Sequence, residues 1–464
     1  MKQFKRYSQV ALLNIFLMSF LGCSNISIEQ VSIDNPSSLN STFPRLFTDN
    51  TGTVHMSWIH KIGEVAELRI ATLTPPSNAD YTNDLEWSTY TSVAKSDDWF
   101  VNWADFPSII GLNGAPMAAH WLDKVPGSPY SYHVTIQPIH DKFTTQITDQ
   151  ANGVNGQVEF EYAAFVPHTD NTNTEHGFVS MQPIDSSTFY AIWLDGRNTG
   201  GMDHDEHSMD SDLLDSKLAT AMTLRGALLS RDGEIIESHL IDNAVCDCCN
   251  TSLVKTDRGL IAAYRNRSSD EIRDLYVSRY ENGVWDTPNT VHNDGWQIAA
   301  CPVNGPQLAF HSGATAALWF TASDNIPRVK LAFSDDYGKN FNDAIILSEN
   351  QPLGRVDIVM HNEQSAWVSY VERYEDGAKL HIKQVMLNGS IAQAIILDDM
   401  EASRSSGFPQ LTSFGDGLLV AWTGNRRTSV DYTNFPHQRS LEEPSLCKPS
   451  LVDAAGSIFL GSSS

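Results

Sequence analysis

Short apolar runs separated by polar turns recur along the chain roughly every 50 to 75 residues. Each unit opens with a brief apolar strand, at Phe43-Pro44, Phe106-Pro107 and Phe408-Pro409 introduced by Phe-Pro. A second strand follows and usually ends in an aromatic residue: Trp58, Trp121, Trp193, Tyr264, Trp319, Tyr370 and Trp422. A third strand of alternating character comes next, as in Leu68-Arg69-Ile70-Ala71 and His133-Val134-Thr135-Ile136. Fourth strands are expected at Ala344–Leu347 and Ala394–Leu397. No comparable stretch keeps the 3.6-residue period of an amphipathic helix.

Short strands, turn residues between them and one aromatic per unit are the marks of propeller blades. The pattern predicts an all-β chain folded as one β-propeller of seven blades, with six as the alternative because the third unit is irregular. The seventh unit lacks its own fourth strand. The segment Ile28–Ile33 is expected to supply it and close the ring, which removes the open sheet edges that invite aggregation.

The termini lie outside this pattern. Lys2, Lys5 and Arg6 precede an apolar run from Val10 to Phe20, too short for a permanent bilayer span of about 20 residues. Phe20-Leu21-Gly22-Cys23 resembles the bacterial lipoprotein cleavage box, which makes Cys23 the lipidated first residue of the mature chain. The expected organisation is a signal peptide over 1–22, a propeller over 23–435 and a tail over 436–464. Ser24 and Asn25 after the cysteine favour the outer membrane of the cell envelope. The expected address is therefore lipid-anchored, facing the periplasm or the exterior.

Composition sharpens the picture in two ways. The formal charge of −25 becomes −28 once the three leader cations are removed, and such a surface repels phosphate backbones. Nucleic acid is therefore not an expected partner. With 41% hydrophobic residues and 10% aromatics, the chain can bury a large core.

One motif points to a family. Ser334-Asp335-Asp336-Tyr337-Gly338-Lys339-Asn340-Phe341 fits Ser-x-Asp-x-Gly-x-x-aromatic, the Asp box, and Ser230-Arg231-Asp232-Gly233 looks like a degraded copy. Asp336 can accept backbone N–H bonds, Gly338 permits positive φ and Phe341 packs beneath the turn. On these residues the chain resembles the sialidase-like, Asp-box (BNR-repeat) propellers. The resemblance implies the propeller fold, a structural role for Ser334, Asp336, Gly338 and Phe341, and a glycan-like ligand. Sialidases also carry Arg-Ile-Pro in the first blade. Here Pro44-Arg45-Leu46-Phe47 stands in that place, and the Tyr, Glu and Asp of the sialidase reaction map onto no particular residues. The expectation is thus a sialidase-like binder without true sialidase activity.

Propeller geometry sorts the loops. Links from second to third strand share one face with links from fourth strand to the next blade. That face is expected to gather Asp195, Arg197, His204, His207, Cys246, Cys248, Cys249, Arg265, Arg267, Asp270, Cys301 and Arg355. Arg197, Arg265, Arg267 and Arg355 could clamp an anionic glycan, since a guanidinium suits a carboxylate or sulfate. Asp195 and Asp270 are then the candidate acids. Arg265 and Arg267 have a structural alternative, pairing with Asp270 or Glu271.

The cysteines open a second class of function. In an oxidising compartment Cys246, Cys248, Cys249 and Cys301 suggest two disulfides, with a bond from blade four to Cys301 the least strained. Thiolates beside His204, His207 and the methionines Met202, Met209 and Met222 equally suit Cu or Zn, and thiol redox chemistry is a third use. A scaffold for another envelope protein is the remaining option.

Overall fold

The computed structural model describes residues 29–76, 85–128, 131–139, 146–150, 153–157, 163–200, 218–424 and 428–434. Cys23, His204, His207 and Cys447, the leader and the tail lie outside them. Residues Gln30–Asn434 form one compact unit.

Seven small sheets make up a seven-bladed propeller. Blade 3 shows the plan, with an inner strand His176–Pro183, a second strand Thr188–Asp195, a third Met222–Ser230 and an outer Ile235–Val245, each antiparallel to the last. Blade 7 takes its outer strand from the other end of the chain. Glu29–Ser32 lies beside Thr428–Asn434, and the Ile33 amide donates to the Val430 carbonyl at 3.0 Å. The expected closure is therefore present.

The irregular unit is the second, not the third. Ser108–Leu112, Ala115–Lys124 and Tyr132–Pro138 form only three strands, and Phe165 makes a lone bridge to Ile136 where a fourth would run. The intervening hairpin, Gln146–Gln150 and Gly153–Gln157, instead extends the sheet of blade 1, pairing in parallel with Thr91–Ser96. A long third-to-fourth link gave that blade its uneven spacing in sequence.

The second strand of each blade is buried on both sides, so it reads as a nearly continuous apolar run. In blade 5, Ala317 and Trp319 pack toward blade 4, while Ala316, Leu318 and Phe320 pack toward blade 6. This is the two-residue alternation of a strand with a neighbour on each face. All seven second-strand aromatics are buried.

Inner strands line a central cavity of about 240 Å³. Three of them begin with a bulge at a non-glycine residue of positive φ: Phe43 (55°), Phe178 (54°) and Arg355 (55°). Each bulge leaves the ladder with a free N–H, and a side chain of the preceding part of the ring accepts it. The acceptors are Thr423 Oγ1 for Phe43, Asp105 Oδ2 for Phe178 and Asn304 Oδ1 for Arg355, at 2.8–2.9 Å. The energetic cost of positive φ is thus offset by bonds that run between blades.

The Asp box turns between Arg328–Ser334 and Ile345–Ser348 of blade 5. Ser334 Oγ accepts from the Gly338 amide at 3.0 Å, Asp336 Oδ1 accepts from the Asn340 amide at 2.8 Å, and Gly338 has φ 72°. Phe341 packs on the core between blades 4 and 5.

Candidate functional site

Three histidines meet where blade 2 hands over to blade 3. His133 stands near the start of a third strand, His168 in the link between the blades and His176 at the start of an inner strand. Each offers one donor atom, and these lie within 4.8 Å of one another. The rings of His168 and His176 are stacked, 3.8 Å apart and nearly parallel. His176 is fully buried, His168 is buried and His133 is half-buried.

Their outward nitrogens are already committed. His168 Nδ1 lies 2.9 Å from Asp170 Oδ1, and His176 Nδ1 lies 3.1 Å from the Thr174 carbonyl. Donation from Nδ1 to these oxygens leaves the lone pair on Nε2 of each ring. His133 Nδ1, His168 Nε2 and His176 Nε2 are all buried without a hydrogen-bond partner, although His176 Nε2 lies 3.3 Å from Asp170 Oδ2 and 3.7 Å from Asp195 Oδ2. A buried polar atom left unpaired costs about 1–3 kcal/mol, so three together are expensive unless something fills the space between them.

Burial and charge favour the neutral form of His168 and His133. Burial, then the His176 charge, pulls His168 down to about 4 against the opposing pull of Asp170. Burial and His176 lower His133 as well. The carboxylates behind them are ionised. Burial alone would raise Asp170, but its bonds from Thr172 and His168 and the nearby His176 charge hold it well below the carboxylate range. Asp195 is likewise lowered in spite of burial, through Arg197, His176 and Trp193.

The residues expected on this face fall into three groups. Asp195 is fully buried and accepts from Arg197 Nε at 2.7 Å, Arg197 Nη2 at 2.8 Å and Trp193 Nε1 at 2.9 Å, so it braces the histidines and has no lone pair spare for acid chemistry. Arg197 also reaches Asp170 at 3.4 Å. Asp270 is exposed, and its carbonyl accepts from Gln297.

The other arginines have internal partners too. Arg265 is buried and donates to the carbonyls of Arg273, Asn304 and Phe320 at 2.5–3.0 Å. Arg355 holds Ser406 Oγ and the Ser403 carbonyl. Arg267 is shared between Asp247 at 3.1 Å and Glu271 at 2.9 Å, the structural alternative for that residue. An anionic ligand would have to displace these partners.

The cysteines resolve into a bonded and a free pair. Cys246 and Cys249 form a disulfide, and the expected bond from blade four to Cys301 is not made: Cys248 and Cys301 carry free thiols in hydrogen-bond contact. Between the two clusters stands Glu175, whose carboxylate accepts a hydrogen bond from the Tyr132 hydroxyl. Burial first, then the charges of Asp105, Asp247 and Cys301, push Glu175 up to about 7 against that bond.

None of the three histidines was singled out by motif, because His168-x7-His176 with a third histidine far upstream matches no ligand spacing. The blade rule carried the signal. A histidine at a third-strand start and two on a blade-to-blade link belong to the same face.

No protein-family profile and no curated protein matches this chain. Solved structures similar to it include a Hadza microbial sialidase, at 11% identity and TM-score 0.43, covering 85% of this chain and 65% of that one. Pyrococcus horikoshii acylaminoacyl peptidase aligns at 10% identity and TM-score 0.39 over 83% and 49% of the two chains. A subtype N10 neuraminidase-like protein of a little yellow-shouldered bat isolate from Guatemala aligns at 9% and 0.38 over 87% and 99%. This chain thus spans just under two thirds of the sialidase and about half of the peptidase. At these scores no activity is carried across.

Proposed function

We propose that the protein is an envelope metalloprotein that binds one borderline-soft transition-metal ion, of the Zn(II) or copper class, through His133, His168 and His176. The observation that carries the reading is the set of three buried ring nitrogens at one point on the loop face, none with a hydrogen-bond partner and His176 Nε2 backed by Asp170 at 3.3 Å. Imidazole donors suit these metals. Asp170 and the Thr174 carbonyl supply the outer-shell bonds that fix a ligating histidine's tautomer. Three protein donors leave one position open, the pattern of sites where the ion polarises a bound water or substrate oxygen. Metal binding is the alternative reading of the sequence, on the cysteines with His204 and His207; here the proposed ligands are His133, His168 and His176 instead. The propeller would then be a scaffold for a buried metal site on its loop face, with an acidic glycan as the second reading, favoured only by the Asp-box resemblance.

Elemental analysis and Zn(II) titration of the purified full chain test the proposal. One ion per chain is expected, with His168→Ala and His176→Ala each abolishing it, and a gain of about 2.7 kcal/mol in unfolding free energy at a hundredfold excess over Kd. Loss of the ion in Cys248→Ser or Cys301→Ser, with retention in both histidine variants, would move the site to the thiols and overturn the assignment.

A further inference from the structure

Four cysteines converge where the inner ends of blades 4 and 5 meet the loop face, apart from the three histidines. Cys246 and Cys249 are buried and bonded to each other. Cys248 stands between them in sequence with its sulfur within 4.8 Å of both, yet its thiol is free and points its hydrogen-bonding contact at Cys301. Cys301 comes from the next blade's lead-in and is exposed, whereas Cys248 is half-buried.

We propose that Cys301 and Cys248 form a reversible dithiol–disulfide couple that exchanges with an external small-molecule disulfide, Cys301 attacking and Cys248 resolving. Two features of the geometry assign the roles. Of the two free thiols among the described residues, Cys301 is the exposed one, and Cys248 is the half-buried one in contact with its sulfur. The rim supports the same division. The Cys248 hydrogen bond, helped by Arg273 and Arg267 against burial and Asp247, draws the Cys301 thiol down to about 7. The same contact, with burial, raises Cys248 above the ordinary thiol value. Attack goes through the thiolate, so the exposed sulfur is the one that starts.

The exchange balances without another reagent. The Cys301 thiolate attacks one sulfur of the external disulfide; that S–S bond breaks, a mixed disulfide forms, and the first external thiolate leaves and takes a proton from water. Cys248 then gives its proton to solvent and attacks the Cys301 sulfur. The mixed disulfide breaks, the second external thiol is released and the Cys248–Cys301 bond remains. Two electrons pass from the dithiol to the external disulfide, and a small external dithiol reverses the reaction. The Cys246–Cys249 bond takes no part and holds Cys248 in place by tying the loop on either side of it.

The test uses the full chain carrying Cys447→Ser, incubated with glutathione disulfide, quenched in acid, alkylated and mapped by peptide mass spectrometry. A Cys248–Cys301 disulfide is expected to accumulate with Cys246–Cys249 unchanged. Cys248→Ser should trap a persistent mixed disulfide on Cys301 at least tenfold more than the parent, and Cys301→Ser should leave Cys248 unmodified. Alkylation of Cys301 should reach half its maximal rate near pH 7. Mixed disulfide that persists equally with and without Cys248, or Cys248 exchanging with Cys246 or Cys249 instead, would overturn the proposal.

Discussion

At the scale of single residues, burial sets protonation as firmly as charge does, and Asp105 shows it. Its carboxylate accepts the Phe178 amide and faces Arg45, yet desolvation outweighs both and pushes it up to about 7. The folded chain holds this proton up to pH 7, whereas the unfolded chain releases it near 3.8. Its contribution to stability is therefore complete below about pH 4 and declines as pH rises to 7. Asp105→Asn keeps an oxygen for Phe178 and removes the proton. Urea melts from pH 4 to 8 should show the variant gaining on the parent as pH rises, by on the order of 3 kcal/mol, with a plateau above 7; parallel curves would count against this account. His120, buried on Ser108 and lowered to about 3 mainly by desolvation, acts on the acid side. It remains neutral in the folded state, so stability falls as pH drops from 6.5 toward 3. Residue type made such groups visible in sequence; only partners decided their state. Asp195 and Arg267 looked like free chemistry on a loop face and are braces.

At the scale of elements, the ring is held by bonds that leave one blade for the next. The positive-φ bulges at Phe43 and Phe178 place strain where a neighbour's side chain takes the freed amide. Closure at Glu29–Ser32 works in the same way, through a strand contributed from far away in sequence. Ile33 is buried in the core of blades 7 and 1. Ile33→Ala should cost about 3 kcal/mol in denaturant unfolding. Removal of residues 29–33 should bare the edge of Thr428–Asn434 and produce concentration-dependent association in sedimentation. A truncated chain that stays monomeric and equally stable would show that closure contributes little.

At the scale of the whole molecule, a ring of seven blades brings distant loops to one face, where neither the histidines nor the thiols are neighbours in sequence. The expected envelope address belongs to this scale too, because an oxidising compartment would fix what free thiols can do. Labelled fatty acid should be incorporated into the chain expressed in a bacterial host and lost in Cys23→Ser; labelling that survives the substitution would refute lipidation at that residue.

Much of the fold was legible because it depends on local rules. Alternation, the second-strand aromatics, the Asp box and the missing seventh outer strand are each read within a few residues, and together they specify seven blades closed by the N-terminal segment. The third-to-fourth hairpin of blade 2, lent to blade 1, was not legible, since its pairing, Gln157 with Ser92, is made with a strand about 65 residues earlier. The site divides in the same way. Sequence determined which cysteines, arginines and acids the loops between strands carry. Tertiary structure decided that the arginines are occupied, that Cys246 pairs with Cys249, and that His133, His168 and His176 converge. Hydrogen-bond partners and burial are properties of the packed ring, and no spacing along the chain encodes them.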